Sequence, residues 1–140
     1  MSITEAVLLQ FIHAHKLGVL STVSDSTTPQ SALMGIAVNP DLEIVFDTLK
    51  TSRKYPNLIS NPRCSFVIGW AGEVTVQFEG EAREITGTAL QRYKQIYFQT
   101  WPDCRIHESW PGIVYFVVQP KWIRYSDFDQ NPPLIQEFRF

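Results

Sequence analysis

The succession of short apolar runs predicts a mainly β protein with peripheral helices, an α+β fold built on an antiparallel sheet that closes into a barrel. Most runs follow one another through short, hairpin-like turns, and only three stretches have helical periodicity. Strands and helices do not alternate, which argues against a doubly wound parallel sheet. A chain of 140 residues suits a single domain over residues 1–140.

Three segments are predicted to be helices at the periphery of the barrel. The first begins with a capping box formed by Ser2 and Glu5. The second is short, because a proline at position 62 forces Asn61 out of the helical region. The third begins at a threonine cap, either Thr86 or Thr88. The predicted helices cover residues 3–15, residues 55–60 and a segment that ends near residue 100.

Seven strands are predicted from apolar or alternating runs. The fifth has the clearest period of two, and Gly80 within it is expected to mark a bulge or a close backbone approach. Pro120 is expected to separate the last two strands. Residues 102–111 are expected to form an irregular loop, and residues 127–140 to contain no regular element. The predicted strands are 17–23, 30–38, 42–46, 63–70, 73–85, 112–118 and 121–125.

Charge and cysteine usage limit the classes of partner. The formal net charge is -2, so we expect no nucleic-acid partner. No apolar stretch approaches the length of a membrane span, and the first residues lack the regions of a signal peptide. Cys64 and Cys104 have neither a disulfide-framework spacing nor a metal-ligand spacing. We therefore expect no membrane, no metal site, reduced thiols and a cytoplasmic location.

The stretch between the third strand and the second helix concentrates polar chemistry. Backbone N–H groups at a helix start are unpaired, and the helix dipole favours negative charge there. Thr51 or Ser52 can cap the helix, and Arg53 can bind a phosphate through two parallel hydrogen bonds. A phosphate-binding turn is one interpretation, and a solvated basic turn is the other. Within seven residues the stretch holds three hydroxyl groups and three cations: Thr48, Thr51, Ser52, Lys50, Arg53 and Lys54.

The same stretch resembles the flavin-binding segment of the pyridoxamine 5′-phosphate oxidase family. The family pattern is an aromatic residue followed by Tyr-Thr, a short turn, Ser-Arg-Lys, a helix, Asn-Pro-Arg and an apolar strand that ends near Trp. The matching residues are Phe46-Asp47-Thr48, Ser52-Arg53-Lys54, Asn61-Pro62-Arg63 and residues 64–70. The resemblance implies a six-stranded antiparallel split β-barrel that forms a homodimer and holds flavin mononucleotide (FMN) at the subunit interface.

The resemblance implies cofactor contacts for individual residues of the central stretch. Arg53 and Lys54, helped by Ser52, would bind the FMN phosphate. Thr48 and the neighbouring Asp47 would lie along the ribityl chain or the ring. Thr51 belongs to the same expected cofactor-binding turn.

Residues on other strands are expected to complete the flavin site. The backbone of residues 32–37 would pass the edge of the isoalloxazine ring. The family's glutamine falls nearest Thr75, and Gln77 on the same strand face is expected to take over its contact. Trp122 and Arg124 share a face of the last strand, and are expected either to reach the cofactor from the second subunit or to be a packed indole beside a surface cation.

The sequence also departs from the oxidase pattern. Ala32 and Ala37 occupy the positions where the oxidase has an arginine and a lysine that touch the cofactor. The C-terminal substrate motif is absent, since residues 131–134 do not match it. We therefore expect a shorter relative that keeps the cofactor site and acts on a different small molecule. No catalytic residue is assigned.

The loop around His107 offers a weaker candidate site. It combines His107 with Cys104 and two acidic residues, but the spacing fits no rigid metal site. We interpret it as a solvated loop, with a cover over the flavin as the alternative.

Several functions remain open on these grounds. The first is an FMN-dependent oxidoreductase that acts on an unidentified small molecule. The second is a non-catalytic flavin-binding store or sensor, or a relative that binds the deazaflavin F420 or haem. The third is a barrel without a cofactor that serves as a dimeric interaction domain. A deazaflavin phosphate could use the Arg53-Lys54 turn, whereas His13, His15 and His107 are the candidate haem ligands.

Overall fold

The computed structural model describes residues 2–140, which are organised around one antiparallel sheet. The helices are α1 (Glu5–His15), α2 (Lys54–Ser60) and α3 (Leu90–Thr100), with 3-10 helices at Gly87–Ala89 and Pro102–Ser109. The strands are β1 (Leu17–Val23), β2 (Pro29–Gly35), β3 (Ala37–Val38), β4 (Ile44–Leu49), β5 (Arg63–Ile68), β6 (Val74–Glu84), β7 (Ile113–Asp127) and β8 (Leu134–Arg139). The predicted class, mainly β with peripheral helices on an antiparallel barrel, is confirmed.

The strand order curls the sheet into a half-barrel. The strands run β2-β1-β5-β6-β7-β4-β3, and β8 pairs with β7. The two ends of this path, β2 and β3, are separated in the chain by Ile36 alone. The Ile36 N–H donates to the Lys16 carbonyl at 2.9 Å, which fixes the crossover. The predicted strand over residues 30–38 is therefore two strands, because the chain leaves one edge of the sheet at Ile36 and joins the other.

The central strands β4 and β7 are buried on both faces. Phe46 and Phe116 are register partners that stack at 5.5 Å and face the core inside the half-barrel. Their neighbours Val45 and Val117 face a second apolar cluster under α3. Burial on both faces explains why these strands have continuous apolar runs rather than an alternating pattern.

The strand β7 is continuous, although Pro120 was expected to break it. Gly80 pairs with Pro120 and Glu79 pairs with Trp122, so Lys121 is an extra residue in β7. Proline is tolerated at such a bulge because the local ladder is already interrupted. The prediction that Gly80 marks a bulge is confirmed, and the prediction of two separate strands is wrong.

The C-terminal segment is also more ordered than predicted. Leu134, Gln136 and Phe138 alternate with more exposed residues along β8, which extends the sheet beyond β7. Gln136 exchanges two side-chain hydrogen bonds of 2.8 Å with the backbone of Ile3. The prediction of no regular element after residue 127 is therefore wrong. The predicted irregular loop over residues 102–111 instead contains the 3-10 helix Pro102–Ser109.

Two predicted helix starts are corrected. Thr4 is the N-cap of α1, and its hydroxyl accepts from the Val7 N–H at 3.3 Å, so the expected capping box at Ser2 is wrong. Thr86 precedes the 3-10 helix Gly87–Ala89 and makes no capping hydrogen bond through its side chain.

Within residues 2–140, no helix combines the length and the apolar character that crossing a membrane requires.

We expect Gly80→Ala to lower the free energy of unfolding by about 1–3 kcal/mol, because the bulge leaves no room for a side chain. A Cβ atom there would lie 2.4 Å from the Gln119 carbonyl oxygen and 2.8 Å from Val118 Cγ1. Urea unfolding measures the change. Gly72→Ala is the matched control, since its Cβ would meet no atom within 4 Å. Equal stability of the two variants would contradict this explanation of the bulge.

Candidate functional site

The turn between β4 and α2 is held by backbone hydrogen bonds. The Lys50 N–H donates to the Gly112 carbonyl, and the Ser52 N–H donates to the Leu49 carbonyl, both at 2.9 Å. The first bond ties the turn to the start of β7, and the second folds the chain back towards α2. The cationic segment therefore has a defined backbone path next to the buried end of β4.

The hydroxyl groups of this turn do not cap α2. Arg53 occupies the N-cap position and no side chain caps the helix. The Ser52 hydroxyl instead shares a hydrogen bond of 3.0 Å with the hydroxyl of Thr48, which is buried. Thr51 is exposed. The predicted cap at Thr51 or Ser52 is wrong, and the side chains rather than the helix terminus give this turn its chemistry.

Arg53 and Lys54 lie together at a cavity of about 160 Å³ between α2 and the β1–β2 hairpin. Among residues 2–140, neither cation has a carboxylate within ion-pair distance, and neither does Lys50. Partial burial of the Lys54 ammonium lowers its pKa, because burial disfavours the charged form. We call this cavity the cation pocket, and its lining residues are Leu20, Thr22, Gln30, Ser31, Ala32, Arg53 and Lys54.

A buried amide holds two of the residues that line the cation pocket. Asn57 lies on the first turns of α2 and is 7% exposed. Its side-chain N–H₂ donates to the Thr22 hydroxyl at 3.0 Å and to the Gln30 carbonyl oxygen at 2.9 Å. These bonds join α2 to both strands of the β1–β2 hairpin. Two lining residues of the cation pocket, Thr22 and Gln30, are therefore held by polar contacts that no local sequence pattern indicated.

The predicted residues Gln77, Trp122 and Arg124 lie elsewhere, on the outer face of the sheet. Gln77 and Arg124 are register partners in β6 and β7. Gln77 and Trp122 line a shallow cavity of about 180 Å³. Within the chain, the structure brings these residues together with one another but not into the cation pocket.

The strand β8 supplies a partner for two of these outer-face residues. The Trp122 indole N–H donates to Glu137 at 2.9 Å, and Arg124 lies 3.7 Å from the same carboxylate. The local pattern predicts either cofactor contact or a packed indole beside a surface cation, and it does not include Glu137 because it does not indicate β8. Glu137 therefore orients both side chains on the outer face.

Asp47 faces away from the cation pocket, on the side of β4 opposite Thr48. Its carboxylate accepts from His107 Nδ1 at 2.7 Å and from the Tyr97 hydroxyl at 3.2 Å. Burial is the main cause that raises the pKa of Tyr97, so Tyr97 remains a hydrogen-bond donor. The solvated loop expected around His107 is wrong at this residue, because the imidazole is tied to Asp47 and packs on Trp110.

The Asp47–His107 pair joins residues that are 60 positions apart, and nothing in the local pattern indicated it. The available signal was a carboxylate in the middle of a strand whose other residues, apart from Thr48, are apolar. Such a group needs a partner when it is buried. Within the described residues, no group of three or more His, Cys, Asp or Glu side chains is arranged to hold a metal ion.

An antiparallel half-barrel with two uncompensated cations at a strand-to-helix turn defines a split-barrel protein with a cavity suited to an anion. A family model described as pyridoxamine 5′-phosphate oxidase matches residues 4–127 of the chain. The protein therefore belongs to the pyridoxamine 5′-phosphate oxidase family, as the resemblance of its central stretch indicated.

Solved structures of low sequence identity share the fold. The haem binding protein from Mycobacterium smegmatis superposes with a TM-score of 0.83 at 15% identity, over 99% of this chain and 59% of that chain. An FMN binding protein from Nostoc punctiforme PCC 73102, described as pyridoxamine 5′-phosphate oxidase-related, has a TM-score of 0.70 at 11% identity. The match covers 97% of this chain and 94% of that chain.

A conserved hypothetical protein from Mycobacterium tuberculosis superposes with a TM-score of 0.75 at 25% identity, over 91% of this chain and 86% of that one. The chain thus spans 59% of the length of the haem binding protein and most of the length of the other two. A search of curated proteins finds no significant match.

We expect His107→Ala to lower the free energy of unfolding by about 1–3 kcal/mol, because Oδ2 of the partly buried Asp47 loses its donor while Oδ1 keeps the Tyr97 hydroxyl. The same change should speed amide hydrogen exchange in the 3-10 helix Pro102–Ser109, which His107 ties to β4. Urea unfolding and exchange measurements test both effects. His13→Ala, at an exposed position of α1, is the control. Unchanged stability and exchange would show that the pair does not hold this segment.

Proposed function

We propose that the protein binds FMN through the cation pocket and functions as an FMN-dependent oxidoreductase on a small molecule. The observation that carries the proposal is the pair of uncompensated cations, Arg53 and Lys54, at one cavity of a chain in this family. A phosphate monoester supplies the missing negative charge and acceptor oxygens for both. Bound FMN would supply the redox chemistry, while the protein binds it, orients it and controls access to it.

The residues around the cation pocket fit a phosphate group. Arg53 is exposed and Lys54 half-buried, so both cationic heads can reach an anion that enters from solvent. Ala32 contributes only a methyl group to the lining and leaves space beside the cations. The hydroxyls of Thr48 and Ser52 already bond to each other, which orders the start of the turn. Thr51 is exposed next to them.

The volume of the cation pocket supports a cofactor site shared between two subunits. At about 160 Å³ the cavity is smaller than the roughly 300–1,000 Å³ typical of sites that enclose a whole small-molecule ligand. One chain would therefore hold the phosphate end and leave the ring to be covered by another surface. This supports the homodimer as the second part of the proposal.

The outer face of the sheet carries exposed apolar side chains that could cover the ring as that second surface. Strand pairing places Leu33, Val19 and Val67 side by side, and Gln77 and Arg124 continue the same row. Leu33 is 60% exposed and Val67 is 44% exposed, so this row has an apolar half that is open to solvent. We propose that a second copy covers it and that Gln77, Trp122 and Arg124 meet the partner's bound ring there.

Haem binding is a second candidate, favoured by one geometric observation. Histidines that ligate metals commonly donate their other ring N–H to a carboxylate, and His107 donates Nδ1 to Asp47 in this way. A structural neighbour from Mycobacterium smegmatis is named as a haem binding protein. A Soret band that is lost in His107→Ala would favour this candidate.

The other candidates are separated by spectra and turnover. A deazaflavin gives a different visible band from FMN, and turnover with NADH or NADPH separates an oxidoreductase from a flavin store or sensor. A cytoplasmic location stays part of the proposal.

We expect Arg53→Ala to weaken FMN binding by about 1–3 kcal/mol, because it removes a charge-assisted contact to the phosphate. Quenching of flavin fluorescence during a titration measures the dissociation constant. Arg92→Ala is the matched control, because Arg92 is an exposed arginine on α3 that packs over Tyr93 and does not line the cation pocket. Equal FMN affinity of the two variants would count against the proposed site.

We expect Val67→Lys to convert the proposed dimer into monomers, because it places a charge in the apolar row of the outer face. Light scattering after size exclusion gives the mass, and an FMN titration of the same sample should show weaker binding. Ile106→Lys, at a residue that is 66% exposed on the 3-10 helix Pro102–Ser109, is the control. A wild-type monomer that binds FMN fully would overturn the shared site.

A further inference from the structure

The amide of Gln30 is held in one orientation at the wall of the cation pocket. Its carbonyl oxygen accepts a hydrogen bond of 2.9 Å from Asn57. The second N–H of the Asn57 amide donates to the Thr22 hydroxyl at 3.0 Å, so both hydrogens of this nitrogen are used. Asn57 is 7% exposed and Thr22 is 2% exposed. The donor that faces Gln30 therefore has little freedom to turn away.

Fixing the carbonyl oxygen of Gln30 also fixes its N–H₂ group. The two groups lie on opposite branches of one planar amide, so an oxygen that points at Asn57 directs the nitrogen away from Asn57. Gln30 lines the same cavity as Arg53 and Lys54 and is only partly exposed. The amide N–H₂ is thus a neutral donor directed away from Asn57, on a residue that lines the same cavity as the two cations.

We propose that Gln30 is the neutral third donor to the phosphate in the cation pocket, and that Asn57 is the positioning residue that aims it. This inference rests on the proposed function. The two cations balance the charge of a phosphate dianion, and a neutral donor adds a directed hydrogen bond without adding further positive charge. The chemical class selected is a phosphate monoester of a flavin, as against the same flavin without phosphate.

A purely structural role is the competing explanation, since the Asn57–Gln30 bond also ties β2 to α2. The two roles differ in which ligand they affect. A structural role would change the affinity for FMN and for riboflavin by the same factor, because both ligands would meet the same altered fold. A phosphate donor would change the affinity for FMN alone, because riboflavin has no phosphate.

The test compares FMN and riboflavin binding to the full-length wild type, Gln30→Met and Gln30→Glu by fluorescence titration. Gln30→Met keeps the side-chain length and removes the donor, and we expect about tenfold weaker FMN binding with unchanged riboflavin binding. Gln30→Glu keeps an acceptor for Asn57, so the tie to α2 remains while a carboxylate enters the pocket. We expect it to weaken FMN binding more than Gln30→Met does.

A separate set of variants tests the positioning role of Asn57. Asn57→Leu alone should lower the FMN-to-riboflavin affinity ratio, because Gln30 is no longer aimed. Adding Asn57→Leu to Gln30→Met should leave that ratio unchanged, because there is no donor left to position. A further fall of the ratio in the double variant would contradict the positioning role.

The failure of this inference is distinguishable from the failure of the proposed function. A wild-type protein that binds FMN well while both Gln30 variants keep its FMN-to-riboflavin ratio would overturn the role of Gln30 and leave the flavin site intact. A wild-type protein that binds neither FMN nor inorganic phosphate would overturn both.

Discussion

Two uncompensated positive charges at a partly buried turn are the constraint on which the proposed chemistry depends. Arg53 and Lys54 lie at one cavity, and among residues 2–140 no carboxylate pairs with either of them. Like charges held close together repel each other, and burial of one of them adds a desolvation cost. An anion of suitable size would offset both costs, which is the physical basis for the proposal that the cavity binds one.

The rest of the fold serves to hold that turn in place. The strand β4 leads directly into the turn. It is buried on both faces, by the aromatic core on one side and by α3 on the other. The single-residue crossover at Ile36 leaves β2 at the free edge of the sheet, where Gln30 meets α2. The buried amide of Asn57 then joins the edge strand to the helix. The cation pocket is the space left between them.

The fold class could be predicted from the sequence, and so could the proximity of Arg53 and Lys54, because both depend on local signals. Short turns between apolar runs predict an antiparallel sheet, and the Ser-Arg-Lys turn is contiguous in the chain. Gly80 was predictable for the same reason, since a glycine within an alternating strand indicates a bulge.

The contacts that the sequence did not predict are those that depend on the completed sheet. Asp47 and His107 meet across 60 positions, and Asn57 reaches Gln30 across 27. The strand β8 was missed because it follows a proline pair and has polar residues at half its positions, and its pairing with β7 decides its conformation. The continuity of β7 through Pro120 likewise depends on its pairing with β6, where the extra residue Lys121 forms a bulge opposite Glu79 and Gly80.

The most direct test of the central claim is a titration of the wild-type protein with FMN at two salt concentrations. Flavin fluorescence measures the binding. We expect saturable binding at one FMN per chain that weakens as salt increases, because a charged phosphate would be held by two partly solvated cations. Absence of saturable binding, or an affinity that does not respond to salt, would contradict the claim that these cations form the ligand site.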